Sequence, residues 1–116
     1  MTAFRVEHDA ASLQSIATDG AMTANSAAKG DATDAFTQTH ASELRKEAAE
    51  LASVLASAHL KPGLADETTK LIALARTAAE TCENLESHPS DKAVARRARA
   101  DLEQVARRVE KLGKRM

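Results

Sequence analysis

Between Asp66 and Glu86 the apolar residues Leu71, Ala75, Ala78, Cys82 and Leu85 recur at spacings of 4, 3, 4 and 3, with Ile72 and Leu74 widening the stripe. That rhythm turns one face of a helix toward a partner and suits neither a strand nor a loop. The flanking stretches repeat it. Leu44, Ala48, Leu51, Leu55 and Ala58, broadened by Val54, come before it, and Ala95, Ala98, Leu102, Val105, Val109 and Leu112 come after. The central helix is therefore expected between two antiparallel neighbours.

The N-terminal third carries a thinner signal. Met1 to His8 reads as a loose arm in which Phe4 and Val6 alternate with Arg5 and Glu7, suiting a short strand or one ring tucked on the bundle. Asp9 reads as an N-cap. The helix after it has the face Leu13, Ile16, Ala17, Gly20, Ala24 and Ala27, of which only two are large. Gly20 costs this helix about 1 kcal/mol relative to Ala.

Junction chemistry sets the boundaries. Gly30 suits the left-handed residue after a helix, and Asp31 reads as the cap of a second helix over Ala32–Leu60. Lys61-Pro62-Gly63 ends that helix, and Asp66 caps the next. Pro89 breaks the central helix, Ser90 caps the last one, about Asp91 to Leu112, and Gly113 closes it. The expected fold is all-α: an up-and-down antiparallel helical bundle of three well-specified helices and a weaker N-terminal helix. Residues 1–30 form a weakly ordered arm and helix, and residues 31–116 form the bundle core.

Composition agrees with this class. Leu, Ile, Val and Phe supply only 20 of 116 residues, so alanine must supply much of the seam, and there is no Trp or Tyr. Few aromatic and β-branched residues argue against sheets. A single cysteine, Cys82, forbids an internal disulfide and fits a reducing compartment, so a cytoplasmic setting is expected. The polar start has no signal-peptide pattern, and no apolar run approaches a membrane span.

Charge is uneven: residues 91–116 carry a net +5 and residues 1–90 a net −6. A basic helix suits nucleic acid or an anionic membrane. Here it lacks an aromatic for stacking, and Asp101, Glu103 and Glu110 interrupt it. The expected arrangement is intramolecular, with the last helix lying against Glu43, Glu47 and Glu50 and against Glu80, Glu83 and Glu86. Neither a nucleic-acid nor a membrane partner is expected.

Catalytic constellations do not emerge. His8, His40, His59 and His88 fall on separate segments without metal-ligand spacing. Cys82 sits on the apolar seam, where an inert thiol is the default. Gly20, Gly30, Gly63 and Gly113 are isolated, so no phosphate-cradling loop is present. No cofactor, metal or small-molecule substrate is expected, and the chain reads as a non-enzyme.

The segment `AHLKPG`, Ala58 to Gly63, resembles the phosphorylated-histidine segment of histidine phosphotransfer domains, which are helical bundles of similar size. The resemblance implies a phosphoryl-carrying role for His59. The family pattern spaces His and Leu by one further residue within a continuous helix, whereas here Leu60 follows His59 directly and Pro62 interrupts the helix. The Ala, Ser, Thr and Asn of the N-terminal third are similar to the leaders of bacterial proteins exported without a cleaved signal. The helical-hairpin export family with a Trp-x-Gly turn is not matched, because this chain has no Trp and turns at Lys-Pro-Gly.

The function expected is that of a small helical protein-interaction module (an adaptor, chaperone or regulatory subunit), its partner another protein or a second copy. The alternatives are a substrate or structural component of a bacterial export system and, third, a histidine phosphotransfer module. Phe36 and His40 are the candidate partner-binding residues, because Phe36 is the only aromatic within a well-specified helix and His40 follows one turn on. Phe36 has two readings: a plug of the bundle end against Leu13 or Ile16, or an anchor for a partner.

Overall fold

The computed structural model describes residues 3–57 and 65–114. Four α-helices make up the fold: α1 (Ala3–Lys29), α2 (Asp34–Ser57), α3 (Ala65–Ser87) and α4 (Lys92–Gly113). There is no strand among the described residues. The expectations for the Phe4 and Val6 side chains, the helix end at Leu60, the phosphotransfer resemblance at His59 and the Lys61-Pro62-Gly63 turn lie outside the described residues.

The helices form a square with sequential neighbours antiparallel. α1 packs most extensively on α4, and α2 on α3; the two pairs meet through smaller α1–α2 and α3–α4 seams. Direction is plain in the α1–α4 pair. Asn25 meets Arg99 near one end, Gly20 meets Leu102, and Ala10 and Gln14 share a depression with Val109 and Gly113 near the other. α2 and α4 lie across the diagonal.

Small residues decide which helices come closest. Gly20 is buried, and a Cβ built on it would lie 2.9 Å from Cδ1 of Leu102. Its missing side chain lets α1 approach α4, so the residue that weakens the isolated helix fits the packed one. Ala17 and Ala24 extend that contact line on α1, and Ala95 and Ala98 on α4, all almost fully buried. In the α2–α3 pair, Ala41, Ala48, Ala75 and Ala78 play the same part.

The expected stripes of α3 and α4 are the buried ones. Leu71, Ala75, Ala78, Cys82 and Leu85 are buried on α3, and Ala95, Ala98, Leu102, Val105, Val109 and Leu112 on α4. On α2 the stripe departs from expectation. It runs Thr37, Ala41, Leu44, Ala48, Ala52, Leu55, stepping by four from Ala48 to Ala52. A residue as small as Ala at 52 brings the backbone toward the core, and Leu51 is left half-buried beside it.

Several local expectations are corrected. α1 begins at Ala3, inside the stretch read as a loose arm, so Asp9 is a buried residue within the helix and not its N-cap. Leu13, Ile16 and Ala17 of α1 belong to the same core cluster as Leu44, Leu71 and Leu102. Thr33, not Asp31, caps α2: its Oγ1 accepts a hydrogen bond from the Phe36 amide at 3.1 Å. Asp31 instead completes the end of α1. Its amide donates to the Ser26 carbonyl at 2.9 Å and the Gly30 amide to Ala27 at 3.1 Å, with Gly30 at φ 75°, a Schellman ending. Asp91, not Ser90, caps α4, with Oδ1 accepting from the Ala93 and Val94 amides. Gly113 is still helical, and the αR residue Lys114 follows as the cap.

Candidate docking face on helices α1 and α2

Phe36 and His40 lie one turn apart on α2. Their rings stack with centroids 5.0 Å apart and planes inclined by 18°. Phe36 is 51% exposed, so it does not plug the bundle. The reason is geometric. Ile16 of α1 lies beside Leu51 and Val54, at the other end of α2, because the two helices run antiparallel. Eighteen residues separate Phe36 from Val54, about 27 Å along a helix.

Sequence spacing puts both residues on one outward stripe of α2. Phe36, His40, Glu43, Glu47, Glu50 and Val54 follow at steps of 4, 3, 4, 3 and 4. The stripe is aromatic at the first end, acidic in the middle and apolar at the last. Val54 is 36% exposed.

The last part of this stripe forms one wall of an open groove of about 1070 Å³ between α1 and α2. Ile16, Leu51 and Val54 supply its apolar surface. Asp9 and Asp19 on α1 and Glu47 and Glu50 on α2 line it with His8, and no Lys or Arg does so among the described residues. The opening has a physical cause. α1 packs mainly on α4 and α2 mainly on α3, which leaves the α1–α2 seam with much less contact. Asp9 is only 8% exposed, and its Oδ2 is shut off from water and accepts no hydrogen bond.

The basic residues of α4 are not neutralised as expected. Among the described residues the ion pairs are Arg45–Glu86, joining α2 to α3 at 3.0 Å, and Arg99–Glu103, within α4 at 2.8 Å. Glu43, Glu47 and Glu50 cannot meet α4, which lies across the diagonal from α2. Arg96, Arg97, Arg107, Arg108 and Lys111 are exposed. The exposed cations of α4 therefore lie on the helix diagonal to the acidic stripe of α2. Among the described residues Glu86 is the acidic residue of α3 drawn into an ion pair, and the Ser42 hydroxyl and the Arg45 guanidinium hold its carboxyl below the usual carboxylate range.

Cys82 is fully buried, and burial, with the nearby Glu86 charge, pushes its thiol up to about 11. A thiol so placed has little thiolate at neutral pH. Among the described residues no group of three His, Cys, Asp or Glu side chains is placed to hold a metal ion. No helix of the described residues is long and apolar enough to cross a membrane.

Phe36 and His40 come together as their spacing implied. The groove was not anticipated. Its signal lay in Glu47, Glu50 and Val54 following Phe36 and His40 on one stripe, but its depth depends on which helices pair, and the α2 stripe alone does not reveal that. No family model, no curated protein and no solved structure matches this chain.

Proposed function

We propose that this protein is a non-enzymatic helical interaction module that takes a partner protein along the outward face of α2 and the groove beside α1. The observation that carries the reading is the exposed Phe36 ring stacked on the half-buried His40, aligned on one stripe with the exposed Val54 at the groove. Exposed aromatic side chains flanked by polar ones are the usual energetic centres of protein interfaces. Among the described residues the buried, weakly acidic Cys82 has little thiolate to act as a nucleophile.

The test is affinity capture from the source cell with wild-type protein and with Phe36→Ala. A partner held by wild type and lost with Phe36→Ala is expected, with helix content unchanged. Capture that is indifferent to Phe36 would contradict the reading.

A further inference from the structure

The α1–α2 groove combines three properties that together define the chemistry of an occupant. Ile16, Leu51 and Val54 supply apolar surface, Asp9, Asp19, Glu47 and Glu50 supply negative charge, and among the described residues His8 lines it too but no Lys or Arg does. Asp9 adds a second observation, since its buried Oδ2 has no hydrogen-bond partner among the described residues. Buried polar atoms are ordinarily paired.

We infer that the groove docks a cationic amphipathic α-helix of a partner protein, with bulky apolar residues on one stripe and Lys or Arg on its flanks. This rests on the interaction reading above and specifies the partner. A helix fits because a trough between two antiparallel helices receives the side-chain ridge of a third. An extended peptide would find no strand edge to pair with among the described residues. The stripe from Phe36 to Val54 spans about 27 Å, or about 18 residues of such a helix. Its apolar ridge covers Ile16, Leu51 and Val54, its end reaches the Phe36 ring, and its cationic flanks meet Glu47 and Glu50 on one side and Asp19 on the other.

The basic helix α4 of a second copy meets only half of these requirements. The outward stripe of α4, through Arg96, Ala100, Gln104, Arg107 and Lys111, is cationic but has no large apolar side chain. It answers the charge and leaves the half-buried Leu51 and the exposed Val54 uncovered.

The probe is an 18-residue helix-forming peptide of Leu, Lys and Ala, with leucines at i, i+3, i+4 and i+7 spacing, titrated against the full chain by fluorescence anisotropy. The double variant Glu47→Lys/Glu50→Lys removes charge from the groove. Glu80→Lys/Glu83→Lys, at exposed positions on α3, makes the same change in net charge elsewhere. The groove variant should weaken binding by about tenfold or more and the α3 variant by less than about twofold. Replacing the peptide leucines with serine should abolish binding. Equal weakening by both variants would reduce the interaction to net charge and overturn the proposal. So would tighter binding of a Glu/Leu peptide, or self-association of the chain that Glu47→Lys/Glu50→Lys abolishes. If the cationic peptide fails while Phe36-dependent capture persists, the partner chemistry is wrong and the interaction reading stands; if both fail, both fall.

Discussion

Gly20 of α1 and Leu102 of α4 are in such close contact that a Cβ on the glycine would stand 2.9 Å from Leu102 Cδ1. Gly20→Ala sets two effects against each other. Helix propensity favours alanine by about 1 kcal/mol, while overpacking a filled core costs about 1–3 kcal/mol. The Leu102 methyl must shift within a fully buried setting, so the substitution should destabilise the protein in urea unfolding. In a Leu102→Ala background the clash disappears, and Gly20→Ala should then stabilise by about 0.5–1 kcal/mol. Stabilisation in both backgrounds would show that α1 and α4 are less closely packed.

Leu102 and Leu51 should respond differently to truncation. Leu102 is fully buried, so Leu102→Ala should cost about 2–5 kcal/mol. Leu51 is half-buried at the groove, so Leu51→Ala should cost about 1 kcal/mol. Equal shifts in denaturation midpoint would place Leu51 in the core.

These two leucines also mark how much of the fold was legible. The α3 and α4 stripes could be read because each helix turns a single row of apolar residues toward the centre. On α2 the sequence offers Leu51 and Ala52 side by side, and the period alone favours the larger. The bundle instead buries the alanine, since close approach to α3 matters more there than side-chain size. The same physics hid the meaning of Gly20, whose cost is local and whose benefit depends on a residue 82 positions away. Thr33 and Asp91 beat Asp31 and Ser90 as caps because hydrogen-bond geometry selects among neighbouring polar residues that composition cannot separate. Of the candidate site, the Phe36–His40 alignment was legible and the groove was not. Its existence follows from α2 and α4 taking diagonal corners, which leaves the acidic residues of α2 beside those of α1.

The Arg45–Glu86 pair joins α2 to α3, and it should make stability depend on acid pH. Glu86 is held below its ordinary value of 4.5 in the folded chain. A depressed carboxyl pKa stabilises the fold above the unfolded value and loses that contribution as pH falls through the folded one. Glu86→Gln should therefore lower the midpoint of urea unfolding at pH 7 and change it far less at pH 3. Both side chains are partly exposed, so the effect at pH 7 should be small and weaken with salt. An equal loss at both pH values would assign Glu86 a packing role.

The docking face itself is tested most directly by mapping amide and methyl chemical shifts as the Leu/Lys/Ala peptide is titrated into the labelled protein. The largest changes should fall on Ile16, Leu51 and Val54, extend to the Phe36 ring, and leave the outward residues of α3 and α4 unmoved. Changes centred on α3 or α4, with the methyl groups of Ile16, Leu51 and Val54 silent, would contradict it.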